Sequence, residues 1–218
     1  ASGERIGCVA LLESSDQQGP AGIELTALSP GGALVLSGEK HFALDAGAAD
    51  LFVVAFRQGK RDGDLRLAVL ERGEPGVSAR RLQSIDATQR PGLLTLEGVR
   101  LAPDRILAQG AGAAPLTWLQ DAGALALTAE SLGAADAALA LTVGYAKQRV
   151  QFGELIGRFQ GVKHPLAEMY VDIESCRSLL YYAAWALDES PAEAPLAVSR
   201  AKAYTSEFFP KMGIDVIQ

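Results

Sequence analysis

Cysteine and histidine are almost missing from this chain. Of 218 residues, only Cys8 and Cys176 are cysteines and only His41 and His164 are histidines. With no Cys-x-x-Cys and no histidine cluster, the sequence offers neither a structural zinc site nor a disulfide framework, and it fits a reducing compartment. Positive charge is also scarce: 20 Lys and Arg stand against 26 Asp and Glu, a net charge of −6 with a pI near 5.0. No basic field is available to hold nucleic acid or an anionic lipid surface. No apolar run approaches the roughly 18 residues of a membrane span, and the first residues carry no secretory pattern, so the chain reads as cytoplasmic. A Gly-x-Ser-x-Gly elbow is absent, and the glycine-rich stretch at 110–115 lacks the preceding strand and the lysine of a phosphate loop. That stretch reads as a linker, and His41 and His164 read as packing or surface residues.

What the chain does have is two different periodicities. Half of it is hydrophobic (49%) and a fifth charged (21%), the balance of a globular protein. From residue 7 to about 102, apolar runs at 8–12, 22–28, 33–36, 51–56, 65–70, 77–82 and 93–101 alternate with turn clusters such as Ser29-Pro30-Gly31-Gly32 and Arg90-Pro91-Gly92. This is the signature of an antiparallel β-sandwich or β-barrel. After residue 115 the spacing changes to three and four. Leu125, Ala129, Leu132, Ala135, Leu139, Val143 and Ala146 mark one long helix, and Leu166, Met169, Tyr170, Ile173, Cys176, Leu180, Ala184 and Leu187 mark a second. A third begins near Leu196, after the break Ser190-Pro191, and Pro210 predicts a kink in it. The fold class is α+β: a β domain over 1–110 and an up-down helical bundle over 111–218. The run to Gln218 lacks a helix stop signal, so the sequence reads as part of a longer polypeptide.

One segment is more specific. Tyr145-Ala146-x-x-Arg149-x-x-Phe152-Gly153 is followed by Phe159-Gln160 and then Leu166-Ala167-Glu168-Met169. A helix-terminal arginine alone would be explained by the helix dipole. The whole constellation resembles the acyl-CoA dehydrogenase family, with similarity to bacterial and actinobacterial members. Leu11-Leu12-Glu13-Ser14, Gly38-Glu39-Lys40 and Leu96-Glu97-Gly98-Val99 resemble further segments of that family's middle domain, so the likeness covers nearly the whole chain.

The resemblance implies a middle β domain and a partial C-terminal bundle, truncated at both ends, that together hold FAD and oxidise an acyl-CoA thioester across its α,β bond with hydride passing to flavin N5. It implies cofactor contacts at Arg149, Gln151, Phe152, Gln160 and Gln218, with Phe42 as an aromatic beside the ring. A guanidinium suits the pyrophosphate, since it binds two oxygens in fork geometry, and an aromatic beside it keeps water away. It further implies an acyl-CoA substrate, an electron-transfer flavoprotein as electron acceptor and a homo- or hetero-oligomer built as a dimer of dimers. Three departures stand out. Leu12 and Leu44 occupy positions where the family has threonines at the flavin ring, and Gly123 occupies the position of an alternative catalytic glutamate. No catalytic base is therefore assigned in this chain; the resemblance places it beyond Gln218, and Glu130, two turns along the same helix, is a weaker candidate. Two readings stay open: a segment of an ordinary dehydrogenase, or a degenerate subunit that lends its Arg-x-x-Phe-Gly loop to a partner's FAD. A homologue that has lost flavin altogether is a third.

Overall fold

The computed structural model describes residues 3–107 and 111–218. The chain separates into two compact units, 1–118 and 119–218. Gly110, where the sequence places the domain boundary, lies outside the described residues.

The first unit is built from β1 (Gly7–Ala10), β2 (Leu34–Leu44), β3 (Leu51–Arg57), β4 (Leu65–Glu71), β5 (Val77–Arg81), β6 (Pro91–Leu101) and β7 (Ile106–Leu107). They form two sheets, in the orders β1-β3-β4-β7 and β2-β6-β5. Every pairing is antiparallel except β1 with β3, which run parallel with Cys8 opposite Phe52. Strand alternation sends one set of side chains inward. Phe52, Val54, Phe56, Ala68 and Leu70 of one sheet meet Leu36, Leu94, Leu96, Val99 and Leu101 of the other in a single core. The result is a sandwich, and the sheets do not close into a barrel among the described residues. Cys8, a free thiol in this core, has its pKa pushed up to about 11, chiefly by burial.

Two arginines fasten loops to this frame. Arg57 donates from Nε to the Ile23 carbonyl and from Nη2 to that of Pro20, both at 2.6 Å. Arg72 lies over the Phe52 ring, 5.6 Å from its centroid, and donates to the carbonyls of Ala49 (2.6 Å) and Ala46. The apolar run at 22–28 forms no strand of its own, contrary to the sequence reading. It makes isolated bridges only, Thr26 to Arg57 and Leu28 to Val35.

In the helical part, α1 (Ala114–Ala146) leads into the short strands β8 (Val150–Gln151) and β9 (Glu154–Leu155), and these into α2 (Gln160–Glu189) and α3 (Ala194–Asp215). Leu132, Ala135 and Leu139 of α1 pack with Met169, Ile173, Cys176 and Leu180 of α2 and Met212 of α3. Where α2 and α3 leave their connection, the buried residues are mostly alanines, Ala183, Ala186, Ala194, Ala197 and Ala201 with Val198, and Leu125, Leu179 and Leu187 pack against them. Pro165 and Pro210 are both accommodated inside helices.

One expectation needs correction. α1 is long and apolar enough to cross a membrane, with an 18-residue window of mean hydropathy 1.4. Scanning for an uncharged run misses it, because Glu130 and Asp136 interrupt the alanines and leucines without lowering the average much. Asp136 is engaged within the bundle, accepting two hydrogen bonds from Arg177 Nη2 at 2.9 and 2.8 Å, and the Leu132-Ala135-Leu139 stripe is buried against α2. Those contacts make α1 a bundle helix. Only 22% of the apolar window is buried, however, so much of its surface remains open.

Ile173 has no exposed surface and sits at the centre of the bundle contact. Ile173→Ala is expected to destabilise this unit by about 2–5 kcal/mol. An unfolding free energy, from urea titration, lowered by less than a tenth of that would show the three helices are not packed as described.

Candidate functional site

α1 ends at a hairpin. The Lys147 amide bonds the Val143 carbonyl and the Arg149 amide bonds Tyr145, closing the last helical turn, and the chain then doubles back with Val150 opposite Leu155 and Gln151 opposite Glu154. The Ile156 amide returns to the Arg149 carbonyl at 2.9 Å. Only Phe152 and Gly153 remain to make the turn, and both have positive φ, 54° and 76°. A two-residue loop with both centres left-handed is the type I′ turn, whose twist matches the flanking strands. Glycine enters that region freely; phenylalanine does so only at a cost of roughly 1–2 kcal/mol.

The strained residue is also the bare one. Phe152 is 94% exposed, and among the described residues its aromatic neighbour is Phe159, edge-on at 6.2 Å between centroids. Arg149, Gln151 and Gln160, the last opening α2, are exposed as well. Among the described residues the Arg149 guanidinium has no ion pair, although Arg158 beside it takes Glu154 at 2.6 Å. Phe159 belongs to the motif read from the sequence but is given no role there; the structure sets its ring against that of Phe152. The structure thus gathers four of the expected residues, Arg149, Gln151, Phe152 and Gln160, around one hairpin. A free cation, two amides and an aromatic face are donors and a lid for an anionic, partly aromatic ligand.

The other expected residues lie elsewhere. Gln218 is exposed beyond the end of α3. Gly123 and Glu130 are both exposed on α1, two turns apart. Phe42 belongs to the β unit, where it too is half exposed and left-handed, with φ 53°. It occupies a bulge: between Lys40 opposite Leu94 and Ala43 opposite Gly92, β2 uses one more residue than β6. Leu44, two residues on, is 52% exposed, and the Leu12 carbonyl accepts the His41 amide at 2.8 Å, so Leu12 runs alongside this bulge. Three apolar side chains, Leu12, Phe42 and Leu44, therefore share one edge of the sandwich with no hydroxyl among them. Among the described residues no cluster of His, Cys, Asp or Glu could hold a metal ion.

The turn geometry generates a prediction free of any ligand. Phe152→Asn places the residue best suited to a type I′ turn before Gly153. It is expected to stabilise the unliganded protein by roughly 1 kcal/mol, read as a higher denaturation midpoint; a lower midpoint would mean that Phe152 is held by contacts rather than strained.

Comparison with known proteins follows the same two units. The pattern described as Acyl-CoA dehydrogenase, middle domain, matches residues 8–94, and that described as Acyl-CoA dehydrogenase, C-terminal domain, matches residues 110–218. The short-chain-specific acyl-CoA dehydrogenase of Megasphaera elsdenii is 32% identical over 188 residues, 84% of this chain and 49% of that enzyme. The structure of butyryl-CoA dehydrogenase from the same organism superposes with a TM-score of 0.89 at 28% identity, covering 98% of this chain and 57% of that one. The structure of PigA with FAD and proline gives 0.89 at 26% identity, covering 99% and 57%. The chain spans about half the length of the curated relatives it matches. With both domain patterns matched in order along its length, the chain belongs to the acyl-CoA dehydrogenase family.

Proposed function

We propose that this chain works in a FAD-dependent acyl-CoA dehydrogenase that oxidises an acyl-CoA thioester across its α,β bond. The observation that carries the reading is the hairpin: Arg149 and Phe152 stand exposed at the end of a long helix, Phe152 in a backbone conformation that costs energy and that nothing within the described residues repays. Arg149 would take the pyrophosphate in fork geometry, Phe152 would cover that contact from water, and the Gln151 and Gln160 amides would bond the polar groups beside it. Gln218 belongs on this reading to the adenine end, and Phe42, with Leu12 and Leu44 alongside, to the ring. When bound, FAD supplies the two-electron acceptor for the hydride leaving the β-carbon. This chain's own residues bind and orient; the base that takes the α-proton is assigned outside them, since Gly123 has no side chain and Glu130 stands two turns away. An acyl-CoA substrate, an electron-transfer flavoprotein as acceptor, a dimer-of-dimers assembly and a cytoplasmic setting complete the proposal.

A second reading has its own observation. Leu12 and Leu44 present only carbon where a flavin ring would need hydrogen-bonding partners, and each ring atom left unpaired would cost about 1–3 kcal/mol. On that reading the chain is the non-catalytic subunit of a heteromeric dehydrogenase, giving Arg149 and Phe152 to FAD held by a partner. Visible absorption separates the two. Stoichiometric flavin in the protein purified alone supports the ordinary dehydrogenase. Flavin only in a complex with a second, different subunit, at half occupancy per chain, supports the lending subunit, and no flavin in any preparation removes both.

Under either reading Arg149→Ala is expected to weaken FAD binding by about 1.5–3 kcal/mol, the worth of a charge-assisted bond, or on the order of 10- to 100-fold. Retained affinity in a folded Arg149→Ala protein, by flavin fluorescence titration, would remove the hairpin from the cofactor site.

A further inference from the structure

Among the described residues Lys40 is the one lysine with no exposed surface, and no step of the proposed chemistry uses it. Its side chain leaves β2 on the core side, two residues before the left-handed Phe42. Its Nζ lies 2.5 Å from Glu13 Oε1 and donates to the Leu11 carbonyl at 3.2 Å. Glu13 is itself buried and accepts three further bonds from the backbone: Glu24 N at 3.1 Å and Leu25 N at 3.0 Å to Oε1, and Leu25 N at 3.1 Å to Oε2. The pair therefore ties three stretches together: the turn after β1, the strandless 24–25 segment, and β2 at its bulge. The Leu12 carbonyl between the two anchors takes the His41 amide.

A buried ion pair is a poor source of stability, because desolvating two charges offsets most of their attraction. Burial here holds the Lys40 ammonium below the ordinary lysine range, against the pull of Glu13. What such a pair supplies is geometry, since an apolar substitute fills the space without choosing which backbone groups it meets. The groups it meets are those that set where Leu12 and Phe42 stand. Leu12 is the residue between Leu11, whose carbonyl Lys40 holds, and Glu13. Phe42 follows Lys40 across the one-residue bulge, and an off-register β2 would return it to an ordinary strand conformation with its ring on the other face.

We propose that Lys40 and Glu13 are positioning residues: their buried pair fixes the Leu12–Phe42 edge as the platform on which a planar aromatic cofactor lies. This rests on the flavin reading above and adds to it the residues that shape the ring's seat.

The test uses the intact protein, with its partner subunit if flavin requires one, and FAD as the probe. Lys40→Met alone leaves Glu13 uncompensated and invites unfolding, so the informative variant is Glu13→Leu/Lys40→Met, which replaces both charges with carbon. We expect it to fold with a thermal midpoint near that of the natural protein, to bind FAD at least ten-fold more weakly, and to hold what flavin it retains with a shifted visible band. Glu13→Leu/Lys40→Met with natural affinity and an unchanged flavin spectrum would make the pair a packing device and overturn the proposal. A second measurement needs no variant: adding FAD to apoprotein should slow hydrogen exchange at the His41 amide, and unchanged exchange there would overturn it too. If the unsubstituted protein takes up no flavin in any assembly, the flavin reading has failed and this proposal falls with it, an outcome distinct from a loaded protein indifferent to the double substitution.

Discussion

A charge with no access to water must be matched where it stands, and the arrangement around Lys40 follows from that requirement. The ammonium has Glu13 and the Leu11 carbonyl. Glu13, once committed, spends its remaining lone pairs on the amides of Glu24 and Leu25. That explains why an apolar run over 22–28 does not pair as a strand: two of its donors are satisfied by a side chain, while Leu25 O and Ala27 N go to the backbone of Arg57. Gly38 completes the arrangement. Its φ of 154° suits glycine, and Leu25 Cδ1 lies 2.7 Å from where a Cβ would be, so a larger residue there would have to turn the end of Leu25 aside. One ion pair thus reaches from the turn after β1 to the bulge that turns Phe42 outward.

The two left-handed phenylalanines make a common point about where strain is kept. Neither Phe42 nor Phe152 is buried, so packing does not repay the cost of its backbone. In each case the surrounding hydrogen bonds overdetermine the turn: the β2–β6 ladder resumes at Ala43 opposite Gly92, and the hairpin is clamped between Val150 and Leu155. At Gly92 an added Cβ would meet Ala46 Cβ at 2.7 Å and the Arg80 carbonyl at 3.0 Å, so only glycine fits opposite the end of the bulge. Strain that is enforced by a rigid frame and displayed on the surface is what a preorganised binding edge requires.

Much of this was legible beforehand. Alternation gave β3 and β4 within a residue of their ends, and three-four spacing gave all three helices, with α1 starting at Ala114, close to where the spacing changes, because Pro115 is tolerated in its first turn. The limits of β2 were not legible. The sequence reading stopped it at 36, where the apolar run ends, and nothing in the residue type announces that Lys40 points inward to a carboxylate 27 positions earlier. The parallel β1–β3 pairing was equally hidden, because β2 intervenes between its partners in the chain. At the site, the motif named Arg149, Gln151, Phe152 and Gln160. It could not say that Phe152 stands where asparagine or glycine is usual, as turn type depends on the register of strands only two residues long.

The two functional readings differ in which surface carries the chemistry, and the physics weighs the surfaces differently. At the hairpin a guanidinium, two amides and an aromatic stand exposed, and among the described residues the guanidinium has no ion pair. At the Leu12–Phe42–Leu44 edge the shape is maintained by a costly buried pair while the hydrogen-bonding side chains are gone. Lys40 and Glu13 act on that edge only through its shape, because Glu13 is committed to Lys40 and to the amides of Glu24 and Leu25. A planar ring lying there would take apolar contact from Leu12 and Leu44 and would have to find its hydrogen bonds among backbone groups.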